Sequence, residues 1–546
     1  MIAKYRHCSY YFKADKIIKT LFYTVTVVIV AYLRLFFPGK ALCENDAVLY
    51  TEIVKIIHGI NPFPQFTFKW TPVFLTGYYG WILSDLRALL YFFLPFLKAQ
   101  YYFTALFGIG VVFSTYRFVI RLYGDKKTAM LAAFLVSIIP IQVSMSYGLS
   151  AEIPQTLFLL ESFNFLIDFI NTDKKKYFFI SGVFFVFSML SKPLSALFIP
   201  GICFLIFINR TRIKGNIIRT ILKYFILPIL VWLSWAIPNF YRIFGDHAHS
   251  FSRFGFRIGS ESMKIGFIEA HLQFLSAWGF FLLACSLVYL IWLRKKEDIF
   301  LSLSIGVSLL FLYSLKDVMT YWYPFIVPFY CVVISRAFFT IKFKAAKWIF
   351  FMLLVYFAGI CIRTDIINVY FDFNSQAGFY MRPDSKYMVF PQVQCQVNLD
   401  TVKKLKELMK EDDIIFLSHT FGSYEGFLMH KDIYFLPIYR HIKKGGIEYE
   451  KDWAGKVNKT IDNILNNGKK GRVLIVLQDG GYYYRVYDKG VWFETHQDQL
   501  LEKAGFKKIY EIEYPDKNTI DKAKRYYSIC SSQYQWAKNY IFTKEY

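Results

Sequence analysis

Eleven long apolar stretches, separated by short polar links, constrain what this chain can fold into. One helical crossing of a bilayer core requires about 20 predominantly apolar residues, and most of the stretches are close to that length. With 55% hydrophobic residues and a mean hydropathy of +0.33, the 546-residue chain is predicted to be a polytopic α-helical membrane protein. The stretches are residues 17–38, 99–121, 127–147, 153–170, 177–191, 194–209, 221–238, 272–293, 299–315, 322–340 and 347–364.

The basic residues of the links indicate how the helices are oriented. Lysine and arginine cluster in every second link, while alternate links such as 148–152 and 316–321 are nearly free of them. Because cations are enriched in cytoplasmic loops, we predict that the N-terminus and all the basic clusters are cytoplasmic. The formal net charge of +24 is then explained by topology, and nucleic-acid binding is not expected.

One apolar segment, residues 71–98, does not fit the simple count because Asp85, Arg87 and Pro95 interrupt it. It can lie on the membrane as interfacial helices or cross it as a short hairpin. Both arrangements preserve the orientation of the later helices, so we predict about 11 to 13 transmembrane helices. The membrane domain is assigned to residues 1–365, in the cell or inner membrane, with outer loops at 39–98 and 239–271.

A change of composition after Asp365 indicates a second domain. Residues 366–546 are polar, and helical and strand patterns alternate along them. Such alternation predicts a small α/β domain with a largely parallel sheet, and the parity of the spans predicts that it is extracytoplasmic. The predicted helix and strand pairs are Thr401–Lys410 with Asp413–Leu417, Val457–Asn467 with Arg472–Leu477, and Gln499–Ala504 with Lys507–Tyr514.

Acidic residues on the predicted outer face form the first part of a candidate site. Glu44 and Asp46 follow the first span, and Glu152 lies between the third and fourth spans. A carboxylate there can take a proton from a hydroxyl nucleophile, and two together can hold a divalent cation. We therefore name these three as candidate catalytic residues, and Asp46 and Glu152 as candidate metal ligands. Asp46 is also consistent with a helix N-cap, and Glu152 with a solvated loop acid.

Cations on the same predicted face form the second part. Lys69 closes the first outer loop, Lys192 lies at an outward turn, and residues 240–270 carry arginines and histidines among aromatic residues. The orientation of the helices in the membrane does not explain these cations, because the positive-inside rule predicts that cations are depleted from outer loops. Binding of a phosphate at the bilayer surface would account for them, and contact with anionic lipid headgroups is the alternative. We assign Lys69, Arg242, Arg253, Arg257 and Lys192 to phosphate binding, and Tyr50, His58 and His247 to a loop that meets the acceptor.

The order of these features and several short motifs carry a resemblance to a known family. The motifs are Asp46-Ala-Val-Leu-Tyr50, Lys69-Trp-Thr-Pro72, Glu152, a Gly-x-x-x-x-x-Ser-x-Leu-x-Lys-Pro run ending at Lys192-Pro193, and Tyr-Trp-Tyr-Pro at 321–324. Together with the acidic first outer loop and the C-terminal domain, they resemble the GT-C superfamily of membrane glycosyltransferases. The resemblance is to the branch of the protein O-mannosyltransferases and the aminoarabinose transferases that modify lipid A.

The resemblance implies a donor sugar that is carried on a polyprenyl phosphate and attacked from the outer face. On the matching positions, Asp46 is the first-loop acid, Glu152 the second-loop acid and Lys69 the cation that meets the donor phosphate. We expect Asp46 to act as the base in a single displacement with inversion, toward a lipid, glycan or protein acceptor. No cofactor is certain, and a divalent cation remains an option.

Two other classes of function stay as alternatives. A flippase or transporter of lipid-linked glycans would have inverted repeats and polar groups near the midplane, whereas the sequence shows no internal repeat and its polar residues cluster at one face. A non-enzymatic envelope scaffold would explain the C-terminal domain but leave the acidic and basic loops without a role. We therefore expect an enzyme whose partners are a polyprenyl-phosphate sugar, an acceptor and membrane lipids.

Overall fold

The chain divides into two compact units in the computed structural model: a helical unit within residues 24–370 and an α/β unit within residues 393–545. The structure describes residues 24–35, 96–146, 150–213, 216–237, 261–314, 323–370, 393–410, 412–417, 433–436, 440–443, 446–449, 452–466, 472–480, 497–514 and 537–545.

Helices make up nearly all of the described part of the first unit. They are α1 (Thr24–Leu35), α2 (Phe96–Tyr123), α3 (Lys126–Ile138), α4 (Pro140–Ser144), α5 (Glu152–Thr172), α6 (Lys175–Ser191), a 3₁₀ helix (Pro193–Phe198), α7 (Ile199–Ile208), α8 (Ile217–Ala236), α9 (Glu261–Leu293), α10 (Lys296–Ser314), α11 (Val327–Thr340) and α12 (Lys344–Tyr370).

Each of the eleven predicted spans overlaps one or two of these helices, which confirms a polytopic helical membrane protein. Among the described residues, six helices are long and apolar enough to cross a bilayer. They are Tyr102–Tyr123, Glu152–Thr172, Ile217–Ser234, Phe274–Leu293, Lys296–Ser314 and Lys344–Ile366. The total of about 11 to 13 stays a prediction, because residues 71–95 and most of the other loops that are predicted to be outer lie outside the described residues.

Helix breaks account for the places where predicted spans and observed helices differ. The predicted span 127–147 is two helices, because Pro140 lacks an N–H and Ile139 before it is extended. In α9, Ser276 has a φ of 59° and separates the segment that begins at Glu261 from the apolar helix that follows. At the other end of the unit, α12 continues to Tyr370, so the composition boundary at Asp365 falls inside a helix.

Polar contacts join helix ends that lie next to the links predicted to be cytoplasmic. Arg121 at the end of α2 donates to both carboxyl oxygens of Asp168 in α5, at 2.7 and 2.9 Å. Nearby in the chain, the Tyr123 hydroxyl donates to Asp298 at the start of α10 (2.7 Å), and Arg336 of α11 lies 3.6 Å from the same carboxylate. The alternation of links read from the charges therefore agrees with the packing. Which end faces the cytoplasm stays a prediction.

The second unit contains a five-stranded sheet with helices around it. Its strands are β1 (Ile414–Leu417), β2 (Ile433–Phe435), β5 (Val473–Gly480), β6 (Lys507–Tyr514) and β7 (Ala537–Lys544), in the order β2-β1-β5-β7-β6. A separate hairpin is formed by β3 (Arg440–Lys443) and β4 (Gly446–Tyr449). The helices are α13 (Val393–Leu408), α14 (Trp453–Asn466) and α15 (Gln497–Lys503).

The α/β fold of this unit and all six of its predicted elements are confirmed, but the prediction of a largely parallel sheet was wrong. β1 pairs in parallel with β2 and β5, whereas β7 is antiparallel to both β5 and β6. β7 was not predicted from the sequence, and it inserts between two strands that were expected to follow a parallel pattern. The sheet is therefore mixed.

Candidate active site

Glu152 is the first residue of α5 and lies in a buried turn. Its side chain has only 7% of its surface exposed. The Ser150 hydroxyl donates to Glu152 Oε2 (2.9 Å) and accepts from the Glu152 backbone N–H (3.2 Å). The position at a helix N-terminus also favours a negative charge, because the first backbone N–H groups of a helix point toward it. The local structure is thus built to hold a carboxylate.

Lys192, just after the neighbouring helix α6, forms an ion pair with this carboxylate. It follows the last residue of α6, where Pro193 prevents the helix from continuing. Its ammonium group contacts Glu152 Oε1 directly, and the Lys192 side chain is 11% exposed. The two ends of one ion pair are therefore 40 residues apart in the sequence and almost fully removed from solvent.

Several buried hydrogen bonds hold the backbone around the Glu152–Lys192 ion pair in place. The Gln155 side-chain amide donates to the Lys192 carbonyl (3.2 Å) and to the Ser195 hydroxyl (2.9 Å). Ser188 in turn donates to the Gln155 carbonyl (2.8 Å) and shares a 2.6 Å contact with the Ser195 hydroxyl. These bonds join the first turn of α5, the last turn of α6 and the 3₁₀ helix, so the backbone on both sides of the ion pair is fixed.

Two of the residues predicted for the site, Glu152 and Lys192, are thus brought together. Lys192 was assigned to the donor phosphate, yet here its ammonium group lies on Glu152; the phosphate assignment stays a prediction. The other assigned residues lie outside the described residues, so their positions are not part of this geometry. They are Glu44, Asp46, Tyr50, His58, Lys69, Arg242, His247, Arg253 and Arg257.

The described residues contain no group of three or more His, Cys, Asp or Glu side chains that could hold a metal ion. The predicted metal site needs Asp46, which lies outside them. From Glu152, a cation would meet one carboxyl oxygen already contacted by Lys192 and another that accepts from Ser150. A metal at Glu152 would therefore have to share this carboxylate with Lys192 or displace it.

A second charged cluster within the helices was missed by the sequence reading. Arg117 of α2 donates to both carboxyl oxygens of Glu161 in α5 (3.1 Å each), and Ser114 donates to the same carboxylate (2.6 Å). Asn164 joins the cluster through the Ser114 hydroxyl (3.0 Å). Polar residues are therefore not confined to one face of the unit. Ionisable residues inside apolar spans are the signal that marks such positions.

Comparison with known proteins shows what this part of the chain is similar to. Residues 86–235, which contain both Glu152 and Lys192, match the family described as dolichyl-phosphate-mannose-protein mannosyltransferase. Solved structures of GT-C glycosyltransferases share the fold over most of the chain. The chain is therefore similar to this family over residues 86–235 and shares its fold with solved GT-C glycosyltransferases. The family match and the shared fold confirm the resemblance, drawn from the motifs, to the branch of the protein mannosyltransferases and ArnT.

Two of these GT-C structures illustrate how distant the likeness is. ArnT from Cupriavidus metallidurans bound to undecaprenyl phosphate is 10% identical, with 96% of this chain and 97% of ArnT covered and a TM-score of 0.56. The oligosaccharyltransferase AglB from Archaeoglobus fulgidus, in complex with an inhibitory peptide and a dolichol-phosphate, is 11% identical, with 93% and 81% covered and a TM-score of 0.51. At such identities the likeness is one of fold. No curated protein matches the sequence significantly.

Proposed function

We propose that this chain is a GT-C glycosyltransferase that moves a sugar from a polyprenyl-phosphate donor to a hydroxyl group of an acceptor on the outer face of the membrane. The observation that carries the proposal is the buried Glu152–Lys192 pair within the segment that matches the mannosyltransferase family. The polyprenyl phosphates bound to ArnT and AglB support a donor of this chemistry.

The proposed reaction is a single displacement at the anomeric carbon. Asp46 takes the proton of the acceptor hydroxyl, and the freed oxygen forms the new glycosidic bond. The bond between the anomeric carbon and the phosphate oxygen breaks, and its electron pair leaves with the polyprenyl phosphate. The configuration at the anomeric carbon is thereby inverted.

Charge neutralisation at the leaving phosphate is the main electrostatic demand of this step. Lys69, together with arginines from 242–257, would supply this positive charge. Lys192 is the candidate cation among the described residues. Tyr50, His58 and His247 would contact the acceptor. Glu44 lies beside the base in the sequence.

Glu152 has a supporting role in this proposal. Its carboxyl group contacts Lys192 and Ser150, and its oxygens can accept hydrogen bonds from acceptor or sugar hydroxyl groups and so orient them. A divalent cation shared with Asp46 is the second option for Glu152. Titration of activity with a chelator and with added Mn²⁺ or Mg²⁺ separates the two roles.

The test uses the full chain in proteoliposomes with a radiolabelled polyprenyl-phosphate sugar. We expect release of free polyprenyl phosphate, and we expect Asp46→Asn to lower that release strongly while the protein stays folded. A change in sidedness of the intact lipid without release would indicate a flippase. Neither release nor movement would indicate a scaffold. Full transfer activity in a folded Asp46→Asn protein would remove Asp46 as the base.

The proposed topology has the N-terminus in the cytoplasm and the C-terminal α/β unit outside it, in the cell or inner membrane. The positive-inside pattern supports this orientation. Labelling of single engineered cysteines with a membrane-impermeant reagent tests it, because residues near positions 46 and 152 should react from the same, outer side.

A further inference from the structure

Two clusters of buried hydroxyl groups join α5 to α6 at different levels of the helix pair. Ser188 and Ser181 both lie on α6, and both are fully buried. Each donates a hydrogen bond to a backbone carbonyl of α5: Ser188 to Gln155 (2.8 Å) and Ser181 to Ser162 (2.7 Å). The two bonds lie about two helical turns, or about 10 Å, apart along both helices. The same kind of contact is therefore made twice within one helix pair.

The first of these bonds belongs to a closed ring formed by Gln155, Ser188 and Ser195, which we call the Gln155 cluster. The single hydroxyl hydrogen of Ser188 goes to the Gln155 carbonyl, so Ser195 is the donor in the 2.6 Å contact between the two serines. Ser195 in turn accepts from the Gln155 side-chain amide (2.9 Å). The ring thus runs in one direction, from the Gln155 amide through both hydroxyl groups to the Gln155 carbonyl. Chains of hydrogen bonds of this kind strengthen one another in an apolar interior.

The Gln155 cluster is attached to the backbone of Lys192. The second hydrogen of the Gln155 amide donates to the Lys192 carbonyl (3.2 Å), and because a carbonyl can only accept, the amide nitrogen must face Lys192. The Lys192 N–H donates to the Ser188 carbonyl (3.0 Å). Lys192 itself is extended, as expected for a residue that precedes a proline. Both backbone groups of the lysine are therefore bound to the cluster, which fixes the point from which its ammonium group reaches Glu152.

This attachment explains the spacing of one sequence motif. In the run that ends at Lys192-Pro193, a serine stands one helical turn before the lysine. In a helix, the N–H of a residue bonds to the carbonyl one turn earlier, and the last such bond of α6 joins Lys192 to Ser188. A serine at position 188 therefore binds the lysine through its backbone and closes the ring through its side chain.

One atom of the Gln155 cluster accepts no hydrogen bond within the described part of the chain. Gln155 is fully buried, and this atom is its side-chain oxygen, Oε1. A buried acceptor without a donor lowers stability. Joining two helices does not by itself account for a glutamine here, whereas the two bonds that its amide donates, to Lys192 and Ser195, do.

The second cluster consists of Ser162, Ser181 and Tyr224, and we call it the Tyr224 cluster. The hydroxyl group of Tyr224 in α8 lies 2.9 Å from the Ser162 hydroxyl and 2.8 Å from the Ser181 hydroxyl. Among the described residues, the hydrogen bonds of these three hydroxyl groups stay within the cluster. It joins the same two helices as the Gln155 cluster, and it has no bond to either member of the Glu152–Lys192 pair.

We propose that the Gln155 cluster positions the ammonium group of Lys192 beside Glu152 for the transfer reaction. Its three members are positioning residues that act through the lysine backbone, while the Tyr224 cluster only joins helices. The effect on transfer rests on the proposed function, in which Lys192 is a candidate cation for the donor phosphate. The effect on the ion pair does not depend on that function.

The effect on transfer is tested by comparing Ser188→Ala with its matched control, Ser181→Ala, in the full chain in proteoliposomes with a radiolabelled polyprenyl-phosphate sugar. Each variant removes one buried hydroxyl group of α6 that donates to a carbonyl of α5. We expect Ser188→Ala to lower kcat about 10-fold or more, because a displacement of about 1 Å can cost about 100-fold. The donor KM should change less than kcat, because the phosphate gains negative charge in the transition state.

A second variant breaks the same ring from the 3₁₀ helix. Ser195→Ala removes the middle hydroxyl group and should lower kcat in the same way as Ser188→Ala. Ser181→Ala should leave kcat within about twofold of wild type, because it disturbs only helix packing about two turns away.

The effect on the ion pair is tested without any activity, by double-mutant cycles in the full chain with unfolding by sodium dodecyl sulfate in mixed micelles as the readout. Ser188→Ala combined with Lys192→Met should lose less stability than the sum of the two single variants, because both residues belong to one network. Ser181→Ala combined with Lys192→Met should lose the sum, because separated sites act independently.

Additive losses for Ser188→Ala and Lys192→Met would overturn the effect on the ion pair. Equal losses of kcat in Ser188→Ala and Ser181→Ala, or an unchanged kcat in both Ser188→Ala and Ser195→Ala, would overturn the positioning role. A wild-type chain that releases no polyprenyl phosphate would instead refute the proposed function. The unfolding cycles would still decide whether the Gln155 cluster acts on the ion pair, so the two failures are distinguishable.

Discussion

Replacement of Lys192 by methionine is the perturbation that tests the site most directly. It removes the ammonium group and keeps most of the aliphatic stem, so the Glu152 carboxylate remains in its buried turn without the cation that contacts it. We expect a large loss of stability together with a loss of transfer activity.

The magnitude follows from the burial of the pair. Exposed ion pairs are worth about 0–1 kcal/mol, while removing one partner of a buried pair costs about 3–5 kcal/mol. The exposed fractions of 7% and 11% put this pair close to the buried limit. The Ser150 hydroxyl and the N-terminus of α5 still stabilise the carboxylate, by about 1 kcal/mol. The expected loss in the free energy of unfolding is therefore about 2–4 kcal/mol.

The assay is reversible unfolding by sodium dodecyl sulfate in mixed micelles, compared between wild type, Lys192→Met, Glu152→Gln and the double variant. Glu152→Gln should cost less than Lys192→Met, because the long lysine side chain can move its charge toward water. The double variant should be more stable than Lys192→Met alone, because no uncompensated charge is left. A loss below about 1 kcal/mol in Lys192→Met, or a double variant that equals the sum of the singles, would refute the reasoning.

Two further predictions concern helix packing and alkaline stability. Gly279→Ala should lower the free energy of unfolding by about 1–3 kcal/mol, because the new Cβ would overlap the Phe357 ring. Gly306→Ala should be neutral or slightly stabilising, since nothing lies within 4 Å of the added atom. The same unfolding assay compares the two variants, and equal effects would contradict the packing. In the α/β unit, burial raises the pKa of Tyr510 above its ordinary value of 10.0. Because the pKa in the folded state is the higher one, the stability contributed by the neutral phenol is complete below pH 10.0 and is lost as the pH rises through the folded pKa. Tyr510→Phe should therefore reduce the loss of stability above pH 10.0, as measured by hydrogen exchange of β6. An unchanged dependence of stability on pH would contradict this prediction.

The sequence predicted more of the fold than of the site. Each apolar span and each of the six elements of the α/β unit overlaps an observed helix or strand, because span length and residue periodicity are local properties. Glu152 and Lys192 were also selected, each from its own turn. The contact between them was not predicted, since no local pattern joins residues that lie 40 positions apart. Glu161 was missed because it lies inside a long apolar run and was read as part of it.

The sequence by itself determined that this chain is a helical membrane protein with a polar α/β unit, because lipid selects long apolar helices and water selects alternating amphipathic elements. Proline alone did not decide where helices end, because a new helix begins at Pro140 whereas Pro228 lies inside α8. Only the tertiary structure decided which charges meet: Lys192 with Glu152, Arg117 with Glu161, and Arg34 with the carbonyls at the Pro140 break. It likewise decided that β7 inserts between β5 and β6. Such contacts depend on how distant segments pack in space, and a buried charge is stable only where that packing supplies its partner.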